Sequence, residues 1–247
     1  MTHPGYLRAL AILFAVWWSA LAIAPWYRED WLVENVLTVF AVAFLALTRR
    51  RFVLSRLSYT FIFLFLCLHT LGSHYTYSEV PLDTWLQSAF GTSAHALFGW
   101  ERNNFDRVVH FAYGLLLAYP VRELFVRVAD VRGFWGYFLP LDLTMSSSML
   151  YELIEWGAAI VLGGELGAAY LGTQGDVWDA HKDMALASLG ALIAMSLTAA
   201  VNIRMRRDFA REFRESLRVK DPQPLSEAAL ERLLHPAQRH DGPTPGI

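Results

Sequence analysis

The sequence has a single cysteine, Cys67, set in an apolar run. It can form no internal disulfide and no cysteine-based zinc cluster. Charge is also scarce. Asp, Glu, Lys and Arg make up 18% of the 247 residues, against about 25% in an ordinary soluble domain. There is no G-x-G-x-x-G, Walker loop, H-E-x-x-H or nucleophile elbow, which excludes the sites those motifs build. No repeat with a period of roughly 20–50 residues and no low-complexity tract is present. The net charge of -2 says little, because the charges are unevenly placed.

What the chain does have is apolar sequence in blocks. It is 55% hydrophobic and 14% aromatic. Six blocks stand out, at roughly 7–25, 31–48, 54–72, 106–126, 134–162 and 183–203. Each approaches or exceeds the ~20 residues a helix needs to cross a hydrocarbon core. The expected fold is all-α: a polytopic membrane helix bundle of about six transmembrane helices within 1–203. The first block ends in small residues, "ALAIA", as a signal peptide would, but its length and Pro25 favour a retained helix. After 203 the character changes. "RMRRDFAREFRESLRVK" is a basic helix candidate, and the Pro-rich remainder to 247 is expected to be partly disordered. Beside a membrane span, the basic tail suits anionic lipid and not nucleic acid.

Arginines set the orientation. Lys and Arg accumulate in cytoplasmic loops. Arg49, Arg50, Arg51 and Arg56 follow the second block, Arg122, Arg127 and Arg132 the fourth, and Arg204, Arg206, Arg207 and Arg211 the sixth. Six spans with both termini in the cytoplasm put all three clusters inside. The links 26–30, 73–105 and 163–182 then face outward, carrying only Arg28, Arg102 and Lys182.

Three acidic groupings fall at that outward side. "ERNNFDRVVHFAYG" places Asp106 and His110 on one helical face. "SSSMLYELIEWGAA" puts Ser148, Glu152 and Glu155 on another. "LGTQGDVWDAHKDM" brings Asp176, Asp179 and Asp183 to the last helix, with a turn at Gly172 and Gly175. A carboxylate at mid-helix costs roughly 2.5–3.5 kcal/mol on insertion scales. Such groups must therefore be partnered, protonated, hydrated or bound to a cation. Arg102, Arg107 and Lys182 are candidate partners, and a divalent cation is a candidate cofactor.

These residues support two kinds of role. As a functional set, Glu152, Glu155, Asp106 and His110 are the candidate catalytic groups. Asp176, Asp179 and Arg102 are candidate substrate contacts, and Asp106, His110 and Asp183 candidate metal ligands. As a structural set, Asp106 and Asp183 cap helices, while Glu152 and Glu155 pair with Arg102 or Arg107. His69 and His74, in "HTLGSHYTY", are expected in the aromatic belt with Tyr75 and Tyr77.

"HTLGSHYTY", "RNNFDRVVHF", "YELIEW" and "GTQGDVWDAHKDM" resemble, in the same order, the signature blocks of the YjdF-like family of uncharacterised bacterial inner-membrane proteins. The resemblance covers roughly 55–195. It implies a multi-pass protein of the bacterial inner membrane, with membrane lipids as its surroundings. A looser similarity is to VanZ-like membrane proteins, associated with low-level glycopeptide-antibiotic resistance. Asp106 and His110 match their D-x3-H, and Glu152 their E-x2-Q, with Glu155 in place of Gln. Asp183 to Gly190 matches their small-residue helix, with Ala187 where Asn is usual. Neither family brings a settled reaction; the expectation is an inner-membrane protein of unknown function whose extracytoplasmic acidic and histidine site acts on or binds a lipid-linked or cell-envelope substrate. A transporter or ion pathway using the same carboxylates, and a structural or assembly protein, are the alternatives.

The arginine distribution yields a topology test. A fluorescent protein fused at the C-terminus is expected to fluoresce, and alkaline phosphatase at the same point to stay inactive. Phosphatase activity there would overturn the orientation.

Overall fold

The computed structural model describes residues 1–164, 167, 174–205, 209–220, 224 and 234. Arg206, Arg207, Gly172 and most of the Pro-rich tail lie outside the described residues. Among those described, the chain is helical and contains no strand. The long helices are α1 (His3–Leu21), α2 (Arg28–Thr48), α3 (Arg56–His74), α6 (Phe105–Val128), α7 (Trp135–Leu162) and α8 (Asp179–Met205). Two short helices, α4 (Leu82–Phe90) and α5 (Ala94–Phe98), lie in the link between α3 and α6, and α9 (Phe209–Ser216) follows α8.

Among the described residues four helices, α1, α2, α3 and α8, are long and apolar enough to cross a membrane. α6 and α7, with 24 and 28 residues, are as long but carry charged and hydroxyl side chains along their length. Both pack against α8 and against each other, and α3 packs on α6. α1 and α2 flank α3 from outside.

The centre of the bundle is the contact of α6 with α8. A Cβ added to Gly114 would lie 1.8 Å from the Ala187 carbonyl oxygen, and one added to Gly190 would lie 2.2 Å from that of Phe111. The two backbones therefore touch directly. Around the contact Ala118, Ala187 and Ala191 are completely buried. In a bilayer, helices gain little from hiding apolar surface from one another, so small residues that permit close approach supply the packing energy.

One end of the bundle gathers the basic segments. Glu123 of α6 accepts from the Ser55 backbone N–H at 2.9 and 3.0 Å and from Ser58 Oγ at 2.5 Å, capping the first turn of α3. Arg127 bonds Glu123 at 2.5 Å and the Val53 carbonyl at 2.6 Å. Arg56 donates to the Met1 carbonyl at 2.8 Å. α9 folds back onto the α6–α7 link, where the Phe134 backbone N–H donates to Ser216 Oγ at 2.9 Å. Gly133, at φ +59°, leaves the room that Ser216 occupies. α2, α6 and α8 all start at the other end, and α3 and α7 finish there.

The backbone contact makes Gly190→Ala a sensitive change. The added methyl meets a backbone oxygen, which cannot rotate away, so the helices must separate. Overpacking of this kind costs about 1–3 kcal/mol or more. Thermal unfolding in detergent should show a clear fall in midpoint, and an unchanged midpoint would refute the close crossing.

Candidate functional site

A cavity of about 600 Å³ opens at the end away from the basic segments, lined by α2, α3, α6, α7, α8 and the turn after α3. Its polar groups arrive as helix faces. Asp30, Glu34 and Thr38 come from α2 at four-residue spacing. Asp106, His110 and Tyr113 come from α6, Ser148, Glu152 and Glu155 from α7, and Asp179 and Asp183 from α8. Residues three and four apart share one side of a helix, so each helix contributes a stripe. Seven carboxyl groups (Asp30, Glu34, Asp106, Glu152, Glu155, Asp179 and Asp183) line the space, and no lysine or arginine is among its described lining residues.

Cations stand at the rim instead. Arg102 bonds Asp179 and lies 3.4 Å from Asp106. Arg107 reaches Asp176 at 2.5 Å and Asp179 at 3.3 Å, and Lys182 reaches Asp176 at 2.5 Å. Two guanidiniums and an ammonium thus face three aspartates. The network ties the start of α8 to the start of α6. Asp176, in the loop before α8, has its carboxyl held well below the usual range, chiefly by the Lys182 ammonium, then by the Trp178 backbone N–H and by Arg107.

Below the rim the carboxyls have different company. His110 Nε2 lies 3.6 Å from Glu152 Oε1. The Tyr151 hydroxyl stands 3.5 Å from Glu34 Oε2 and bonds the Glu155 carboxyl. Asp183 is 4% exposed and Ser148 2%. Asp183 Oδ1, Glu152 Oε1 and Ser148 Oγ are buried with no hydrogen-bond partner among the described residues. Two sets of side chains bring ligand atoms within 4.8 Å of one another: His110 with Glu152 and Asp183, and Asp106 with Asp179 and Asp183. Asp183 belongs to both.

All six of Glu152, Glu155, Asp106, His110, Asp179 and Asp183 line the cavity. Arg102 and Asp176 sit in the rim network above it. The expected use of Arg102 and Arg107 as partners for Glu152 and Glu155 gives way to pairing with aspartates. Both arginines flank Asp106 at the start of α6, where the loop before α8 passes.

Two features escaped the sequence reading. Asp30 and Glu34 face the cavity from α2, which starts at Arg28 and not at 31. Their four-residue spacing is the signal that could have found them. His69 is not in an aromatic belt. It is buried, its Nε2–H donates to the Glu34 carbonyl at 3.2 Å, and its Nδ1 accepts from the Tyr77 hydroxyl at 2.5 Å. A carbonyl can only accept, which fixes this neutral tautomer. Tyr77 reaches back because Thr76 and Tyr77 both adopt left-handed backbone, at φ 51° and 53°. Its ring lies where a Cβ on Gly72 would be, 2.5 Å away. His74 does sit among aromatic rings, edge-on to Tyr75 at 4.5 Å.

The model of a family described as predicted membrane protein (DUF2238) matches residues 6–204. Inner membrane protein YjdF of Escherichia coli (strain K12) is 39% identical over 207 residues, covering 83% of this chain and 95% of that protein. No solved structure matches. The chain belongs to this membrane-protein family and is a multi-pass inner-membrane protein.

The rim network generates a pH prediction. A carboxyl whose folded-state pKa is depressed stabilises the fold above its unfolded pKa, and that contribution is lost as pH falls through the folded value. Asp176→Asn should therefore lower the unfolding temperature most above about pH 5, with the gap to wild type shrinking below about pH 4. Melting curves across that range in detergent read it. A gap independent of pH would show that Asp176 contributes without its charge.

Proposed function

We propose that the protein binds, and through its carboxyl and histidine groups acts on, a lipid-linked substrate of the cell envelope that enters the cavity from the outer part of the bilayer. The observation carrying this reading is that one space joins two chemistries. Its inner wall holds the acidic and histidine side chains. Its flank is formed by Leu37, Phe40 and Ala41 of α2 and Leu150 and Ile154 of α7. Phe40 is 69% exposed and Leu150 56%. α2 packs chiefly on α3, and α7 on α6 and α8, so no extended seam closes α2 against α7. An apolar chain can lie along that flank while its polar headgroup meets the acidic wall.

In this reading Glu152, Glu155 and His110 face the headgroup, with Asp106 and Asp183 beside them. Arg102, Asp176 and Asp179 form the rim that a headgroup passes. The arginine distribution supports an extracytoplasmic opening. The D-x3-H of Asp106 and His110 and the acidic pair Glu152 and Glu155, read as a VanZ-like pattern, are the ground for choosing an envelope substrate. The mutual pairing of the rim charges also supports a positioning role for them, holding α8 against α6.

The test is photolabelling in proteoliposomes with a diacyl phospholipid that carries a diazirine on its headgroup. Labelling is expected on cavity residues such as His110 and Glu152, which line the inner wall with side chains 14% and 11% exposed. Ala41→Trp together with Leu150→Trp should abolish it. Labelling confined to outward residues such as Val161, in both proteins, would overturn the proposal.

A further inference from the structure

Seven carboxyls line the cavity, yet their surroundings divide them. Asp106 and Asp179 lie against the guanidiniums of Arg102 and Arg107, so fixed cations already occupy the vicinity of that set. Among the described residues no Lys or Arg forms a salt bridge with His110, Glu152 or Asp183, Arg107 reaching Asp183 only at longer range, and His110 Nε2 lies 3.6 Å from Glu152 Oε1. That distance is too long for a hydrogen bond, and a gap of this size between two donor atoms is what a shared ion would span. Buried polar atoms around the same point add a second observation. Asp183, 4% exposed, leaves Oδ1 buried without a partner, and so does Ser148, 2% exposed, with its Oγ. Both side chains line the cavity. Buried polar atoms in proteins are satisfied in the great majority of cases, and each orphan calls for a ligand, ion or water.

We infer that His110, Glu152 and Asp183 bind a divalent transition-metal ion. The donor set has one imidazole nitrogen and two carboxylate groups. Imidazole disfavours Mg²⁺ and Ca²⁺, which take oxygen ligands, and suits Zn²⁺ and its first-row neighbours. Three protein ligands leave a coordination position open toward the cavity, as in catalytic and not in structural zinc sites. The open position would take water or an oxygen of a bound headgroup. Ser148, one turn before Glu152 on α7, is placed to hydrogen-bond that oxygen. This inference shares the cavity with the proposed function, but it does not require lipid entry.

Metal content separates the two. The full chain, purified in detergent without added lipid, is dialysed against Zn²⁺ or Co²⁺, passed through a desalting column and assayed by mass spectrometry of the metal. About one equivalent per chain is expected, and Co²⁺ should give visible d–d bands of a nitrogen–oxygen site. His110→Ala, Glu152→Gln and Asp183→Asn should each weaken binding at least about tenfold, since even partners outside the ligand shell cost 10–100-fold when removed. Asp130→Asn, at the opposite end of the bundle, should not. The wild-type bands should vanish with a chelator, a measurement that needs no variant to fold. Stoichiometry well below one, or binding unchanged in all three variants, would overturn the site. Metal bound as expected with no photolabelling inside the cavity would leave this inference standing and sink the lipid reading.

Discussion

The backbone contact of α6 with α8 is the constraint on which the site depends. Gly114 and Gly190 let the two helices meet with nothing but hydrogens between the main chains. The helices run in the same direction from the cavity end. His110 stands four residues before Gly114, about one turn, and Asp183 seven before Gly190, about two turns. Close approach at the crossing therefore sets how near His110 and Asp183 come. Leucines at the crossing would splay the helices and draw the two side chains apart, however well the remaining residues packed. α7 then closes on both helices and delivers Glu152 between them.

Helix direction bears on the acidity as well. α2, α6 and α8 each begin at the cavity end, with Asp30, Asp106 and Asp179 in their first turns. The start of a helix carries a partial positive charge that favours anions. These three carboxyls are therefore supported by their own helices before any partner is considered. Arg102 and Arg107 add to that support for two of them. Glu152 and Glu155 have neither benefit, being in the far half of α7, whose start lies at the opposite end. Carboxyls held by dipole and arginine at the rim, and carboxyls held by neither below it, are chemically different populations in one cavity.

The all-helical membrane fold was legible because apolar blocks of the right length are a one-dimensional signal. The grouping of Asp106, His110, Glu152, Glu155 and Asp183 at one end was legible too. Helical spacing gives each stripe its face, and the arginines give the blocks their common direction. Asp30 went unread because the charges of "YRED" look like a link, while α2 begins within them, and Glu34, inside the block at 31–48, lost with it the four-residue partner that marks the face. His69 was hidden for a different reason. Its partner Tyr77 approaches only through left-handed backbone at Thr76 and Tyr77, a conformation uncommon for residues of this kind. Nothing in the local sequence announces that turn except Gly72, whose missing side chain is filled by the Tyr77 ring.

Enclosure by other helices explains why α6 and α7 can carry charged and hydroxyl side chains along their length. A helix in the middle of a bundle meets protein on most sides, so it need not be hydrophobic all round. α7 keeps Met149, Leu150, Leu153, Ile154 and Trp156 exposed, as a lipid-facing surface requires, and turns Ser148, Glu152 and Glu155 inward. α1 faces the bundle with few residues, Phe14 being its one buried side chain, and is apolar elsewhere. Polarity inside a membrane protein is tolerated where other helices enclose it and is expensive where lipid does. On that ground, α6 and α7 can bring Asp106, His110, Ser148, Glu152 and Glu155 to the cavity, and α8 contributes only at its first turns. Because Asp179 and Asp183 occupy those turns, α8 presents charge to the cavity and still spends its remaining length against lipid and small-residue neighbours.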